Sequence, residues 1–147
     1  MNLPLREIAA HARATYPQEC CGLVLADASG GLRFVAIDNV AGSSEVSART
    51  KRDGYVMDPK QLLSALEQSE RQGGRLHTIV HSHPDVGAYF SKEDRDMALG
   101  GADEPLWPGV HYLVVSVRSG RVDGARLYTW NSVSRNFVEL ELTDIVK

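Results

Sequence analysis

The chain holds only two cysteines in 147 residues, and they are adjacent, Cys20 and Cys21. Neighbouring side chains on an extended strand point to opposite faces, so a bond between them would be strained. A disulfide scaffold is excluded, and the pair reads as reduced thiols in a cytoplasmic protein. The pair also lacks the separation of a zinc-binding cysteine couple. No apolar run approaches the ~18 residues of a membrane-spanning helix. The opening residues, Met1 to Glu7, show no basic head followed by an apolar stretch, so no secretory signal is expected.

Positive charge is not in excess either. Lys and Arg number 16 against 19 Asp and Glu, a formal net charge of −3. A duplex-nucleic-acid binder would carry clustered basic residues, so no nucleic-acid partner is expected. The densest basic stretch, Arg49 to Arg52, is flanked by Glu45 and Asp53. It reads either as a solvated loop or as a small patch that grips a partner's carboxylates. Internal repeats, low-complexity tracts and linkers are also missing. What is there, 43% hydrophobic and 24% charged residues, is the composition of an ordinary globular chain. The length suits one domain over residues 1–147, burying roughly two thirds of its unfolded surface.

Leu5, Ile8, Ala9, Ala12 and Arg13 fall at helical spacing and predict a helix that ends before Pro17. Gly22 to Ala26 and Leu32 to Ile37 read as strands joined by a glycine-rich turn. Asn39 to Asp53 is polar and aperiodic, the mark of a functional or mobile loop. Asp58 caps a helix with Pro59 at its first position, Leu62, Leu63, Leu66 and Ser69 on one face, and Gly73-Gly74 as its stop. Leu76 to Val80 is a strand that runs on into His81-Ser82-His83-Pro84. Ser91 to Leu99 predicts a helix, and Tyr112 to Val117 a strongly apolar strand. Leu127 to Trp130 and Phe137 to Leu142 complete a set of hairpin-like strands. The order αββ, α, β, α, βββ predicts an α/β fold with a mixed sheet covered by helices.

Chemistry concentrates between His81 and Asp94. Residues two apart on a strand share a face, so His81 and His83 can aim both imidazoles into one pocket while Ser82 points away. Asp94, in the first turn of the next helix, can return opposite them. Two imidazoles and a carboxylate form a zinc set with the fourth position open for water, a catalytic type of site. Zinc there suits peptide or amide hydrolysis. That reaction also needs a carboxylate to carry the water's proton to the leaving amine, and a donor for the oxyanion. Ser91 can donate a hydroxyl. Glu19 is the candidate base if the first strand adjoins the histidine strand.

The run His-x-His-x7-Ser-x2-Asp with an upstream Glu resembles the JAMM motif of MPN-type zinc metalloproteases. Gln18 to Val24 is similar to that family's glutamate segment, and His81 to Pro84 to its histidine segment. The likeness extends over nearly the whole chain. It implies a three-layer αβα sandwich related to cytidine deaminases. It implies zinc held by His81, His83 and Asp94, with Glu19 as general base and Ser91 assisting the oxyanion. It also implies a partner that is a ubiquitin-like or sulfur-carrier protein with a Gly-Gly tail; a narrow cleft suits such a tail, and Asn39 to Tyr55 is the candidate for one of its walls. By chance the motif would arise in a chain this long on the order of once in several thousand.

Each residue also has a plainer reading. His81 and His83 could be hydrogen-bonded core histidines. Ser91 and Asp94 match a helix-capping box, a role compatible with metal binding because the carboxylate has two oxygens. The cysteines suit small buried packing. His77 shares strand parity with His81 and reads as a packed histidine or a supporting group. Tyr89-Phe90 is a substrate-facing lip or core, and Trp107 and Trp130 are packing anchors. A non-catalytic MPN-type scaffold is the alternative function, although such scaffolds characteristically lack a complete ligand set. Deaminase chemistry would need His-x-Glu and Pro-Cys-x-x-Cys, and neither occurs.

Overall fold

The computed structural model describes residues 2–42 and 50–142. Helix α1 (Leu5–Thr15) buries Leu5, Ile8, Ala9 and Ala12, the apolar positions read from the sequence. Strands β1 (Cys21–Ala26) and β2 (Leu32–Ile37) form a hairpin. Helix α2 (Pro59–Arg71) starts at Asp58, whose carboxylate accepts the backbone N–H groups of Lys60 and Gln61. Strand β3 (Arg75–Pro84) is followed by α3 (Lys92–Leu99), β4 (His111–Arg118), β5 (Arg121–Asn131) and β6 (Asn136–Leu140). The described strands form one sheet in the order β2-β1-β3-β4-β5-β6. Only β3 and β4 run parallel, and the connection they require carries α3.

Strand parity divides the core in two. Leu23 and Leu25 of β1 and Tyr112 and Val114 of β4 join Ala65 of α2 and Ala98 of α3 on one face. Val24, Leu113, Val115 and Val117 meet α1 on the other. The result is the mixed-sheet αβα sandwich expected. β1 is buried along its whole length, as a central strand covered on both faces must be. Full burial of one such Leu or Val contributes roughly 1.5–3 kcal/mol. Gly22 permits a close approach within this layer: a Cβ there would lie 2.5 Å from the Phe34 ring and 2.7 Å from the Val35 carbonyl oxygen.

Three sequence expectations change in detail. Leu63 faces solvent, 58% exposed, whereas Leu62, Ala65, Leu66 and Ser69 turn inward. The turn at Ser119-Gly120 leads straight into β5 at Arg121, before the strand start read at Leu127. Simple parity also fails at His77. Val24 pairs with Thr78, but Leu25 pairs with Leu76, so His77 is an extra residue in β3. The bulge puts Leu76 on the same face as Ile79, and His77 packs edge-on against His111 at 5.2 Å. Of the polar loop read at Asn39 to Asp53, residues 43–49 lie outside the described residues. Arg49 and Glu45, which frame the basic stretch, lie among them.

Candidate metal centre

The site lies at the carboxyl end of β3, where β1 pairs with it on one side and β4 on the other. Cys21 pairs with His81, and His81 in turn with Val114. Ser82 points away from the histidines, as its parity requires, and its hydroxyl accepts the Cys20 backbone N–H at 2.7 Å. The Ser82 N–H returns to the Cys20 carbonyl at 3.1 Å. These two bonds fix the start of β1 against the end of β3. Glu19, one residue upstream, is thereby brought beside the histidines. Its N–H donates to the Lys51 carbonyl at 2.7 Å, and its carbonyl accepts from the Asn39 amide at 3.0 Å. Asn39 also donates to Gly54 O and accepts from Ala41 and Val56, so one side chain ties the 50s segment to the base of the site.

Asp94 enters from α3 through a reciprocal cap. The Ser91 hydroxyl accepts the Asp94 N–H, and the Asp94 carboxylate accepts the Ser91 N–H, each at 3.0 Å. The same carboxylate reaches both imidazoles. Asp94 Oδ1 lies 3.1 Å from His81 Nε2, and Oδ2 lies 3.2 Å from His83 Nε2. The two Nε2 atoms are themselves 3.2 Å apart. Glu19 and the two histidines place ligand atoms within 4.8 Å of one another. Glu19, His81, His83 and Asp94 are all buried.

These distances test whether a metal fits. A tetrahedral zinc with bonds of about 2.0–2.1 Å sets its ligand atoms about 3.3 Å apart. The two nitrogens stand close to that spacing, and each has one Asp94 oxygen at nearly the same distance. His83 Nδ1 lies 2.9 Å from the Gly87 carbonyl, a partner that takes the Nδ1 proton and leaves the Nε2 lone pair for a ligand. His81 stacks on Tyr55 at 4.7 Å, which fixes its ring plane. The donor set fits a zinc ion.

The electrostatics of these side chains are polarised. Burial holds His81 below the usual imidazole range, outweighing Asp94. For His83, burial opposes protonation, but hydrogen bonds to Asp94 and Gly87 raise its pKa overall. Burial would raise the Asp94 pKa, but its bonds to both histidines bring it well below the carboxylate range. The aspartate is therefore an anion, ready to serve as a ligand.

Above this group opens a cavity of about 560 Å³, lined in part by Glu19, Arg52, His83, Tyr89, Ser91 and Asp94. All five residues singled out in the sequence thus meet in one place: four of them line the cavity, and His81 lies behind them in the core. Tyr89 is exposed beside the His83 ring at 5.1 Å, whereas Phe90 packs inward against Tyr112. In the sequence Arg52 stands out only as part of the basic stretch, and Tyr55 only as the end of the stretch expected to wall the cleft. Sequence reasoning missed Asp85 altogether. Asp85 adopts a left-handed φ of 62° and accepts from Tyr16 Oη, Ser119 N and Arg52. A carboxylate just after a strand-ending proline was the available signal. The cysteines are buried and unpaired with each other, and burial raises the Cys20 thiol to about 11.

Comparison with known proteins adds the following. Residues 4–132 match the family model described as prokaryotic homologs of the JAB domain. A desampylase from Haloferax volcanii is 31% identical over 102 residues, 68% of this chain and 63% of that protein. The chain thus spans somewhat under two thirds of that relative's length. A solution structure from Salinibacter ruber is 25% identical with a TM-score of 0.63, over 97% of this chain and 90% of that one. A Desulfitobacterium hafniense protein is similar at TM-score 0.67 and 24% identity, over 92% and 84% of the two chains. A JAB1/MPN domain protein from Archaeoglobus fulgidus has a similar fold at TM-score 0.56 and 16% identity, over 97% and 96%.

Proposed function

This chain belongs to the family of prokaryotic JAB-domain homologs, and from that premise we propose that it is a zinc-dependent peptidase or isopeptidase. Its substrate is the C-terminal tail of a ubiquitin-like, sulfur-carrier type of protein ending in Gly-Gly. One observation carries the reading: the two histidine Nε2 atoms lie 3.2 Å apart, each has one Asp94 carboxylate oxygen at 3.1–3.2 Å, and the Glu19 carboxylate stands beside them at the base of an open cavity. The likeness to a desampylase supports the isopeptidase class. Two buried, unbonded cysteines agree with a cytoplasmic location.

In this reading His81, His83 and Asp94 hold the ion. Zinc there supplies an acidified water and an electrophile for the scissile carbonyl. Glu19 takes the water's proton and delivers it to the leaving amine, as a buried carboxylate with a fixed backbone can. Ser91 already accepts the Asp94 N–H through its oxygen, so its own proton is left to donate to the oxyanion. The cavity wall at Thr50, Asp53 and Gly54 lies along the segment expected to flank an extended tail. Glycines in that tail suit a narrow cleft in which an extended peptide lies close to backbone.

The test is cleavage of a carrier-tail fusion by the zinc-loaded protein. Cleavage is expected, with loss after chelation and recovery on adding zinc. Glu19→Gln should keep the metal and lose turnover. Metal-replete protein inert toward every amide substrate would point instead to the scaffold alternative. Normal turnover by Glu19→Gln would refute the assigned base.

A further inference from the structure

The cavity has an unusual charge arrangement. Its lining carries the carboxylates of Glu19, Asp53, Asp85, Glu93 and Asp94, and among the described residues Arg52 is its one Lys or Arg. A guanidinium beside the proposed catalytic carboxylates would ordinarily collapse onto them. Here it is held elsewhere. Arg52 Nη2 donates to Asp85 at 2.9 Å and Nη1 to the Pro17 carbonyl at 3.3 Å.

Asp85 does not depend on Arg52 for its partners. The single Tyr16 O–H is shared between its two oxygens at 2.9 and 2.7 Å, and the Ser119 N–H adds a second bond at 2.9 Å. The pair is also half open to water, with Arg52 55% and Asp85 34% exposed, so it contributes little to stability. Among the described residues Arg52 thus spends two of its five N–H donors and has three left at the cavity wall. An extended peptide entering that cavity brings main-chain carbonyls that need donors.

We propose that Arg52 is a substrate-binding residue: it clamps main-chain carbonyl oxygens of the extended tail, while Asp85 holds the guanidinium away from Glu19 and Asp94. The inference deepens the isopeptidase reading, which it uses for the class of ligand. The bond is made equally before and during reaction, so its loss raises KM and spares kcat. Lysine would keep the charge but lose the planar fork, and would rescue only in part.

Two measurements test it. The first is binding of a neutral, end-blocked hexapeptide ending in Gly-Gly to zinc-loaded Glu19→Gln protein, with and without Arg52→Ala. Arg52→Ala should weaken binding about tenfold or more, the range for a hydrogen bond to a charged donor. Asp85→Asn removes the charge but leaves a side-chain oxygen that still accepts from the guanidinium, which also keeps its bond to the Pro17 carbonyl, so Arg52 stays in place and binding should remain within about threefold. Equal losses in the two variants would mean that Arg52 merely latches the loop, and would overturn the proposal. So would unchanged binding in Arg52→Ala, or no measurable binding in the parent protein. The second is KM and kcat for the carrier-tail fusion, where Arg52→Ala should change KM alone. If the fusion is cleaved and Arg52→Ala leaves KM unmoved, the clamp is wrong and the isopeptidase reading survives. If Arg52 governs peptide binding but no fusion is cleaved, the clamp survives and the isopeptidase reading falls.

Discussion

Ser82→Ala probes the bond that places Glu19 without touching any proposed ligand. The Ser82 hydroxyl accepts the Cys20 N–H at 2.7 Å, and both residues are about 1% exposed. Removing the hydroxyl leaves a buried N–H that water cannot reach. Such an orphan costs about 1–3 kcal/mol. For a chain of this size each kcal/mol lowers Tm by about 2–4 °C, so the expected loss is about 2–12 °C. The assay is reversible urea or thermal unfolding in chelator, because bound zinc would stabilise the folded state by mass action. Zinc binding should persist, since His81, His83 and Asp94 take no bond from Ser82 in the described structure. Turnover should fall, because the strand start that carries Glu19 is no longer pinned to β3. A stability change below about 0.5 kcal/mol, with full activity, would refute this account of how Glu19 is positioned.

The other predictions probe separate links. Asp94→Asn should remove stoichiometric zinc, measured by elemental analysis, while circular dichroism still shows α3, whose Ser91 cap oxygen is intact. Gly22→Ala should destabilise measurably despite its small size, because the new methyl meets the Phe34 ring and the Val35 carbonyl. Leu113→Ala, at a fully buried position, should cost about 2–5 kcal/mol in urea unfolding, whereas Leu63→Lys on the solvent face should stay within about 0.5 kcal/mol. Native Cys20 and Cys21 should resist thiol reagents at pH 8 and react on unfolding, because burial raises both thiol pKa values and keeps them protonated and inaccessible.

The sequence carried the helices and the parity of the histidine strand because those signals are local. Asp58-Pro59, the Ser91–Asp94 spacing and the alternation His81-Ser82-His83 each state a geometry within one turn or one pleat. What it withheld was non-local. The His77 bulge depends on how β3 registers with β1, so parity counted along β3 alone fails there. Leu63 is apolar by type, but it falls outside the face formed by Leu62, Ala65, Leu66 and Ser69 that packs on the core, and it stays exposed. Arg52 reaches the site from a loop, Tyr55 from across the ring of His81 and Asp85 from a left-handed turn. No spacing rule joins those positions to the motif.

Zinc-edge X-ray absorption on the loaded protein tests the metal centre most directly. One zinc per chain is expected, with two imidazole nitrogens and oxygen ligands at about 2.0–2.1 Å, and with loss of the nitrogen signature in His81→Ala or His83→Ala. A sulfur neighbour at about 2.3 Å, or a chain that takes up no zinc, would contradict it.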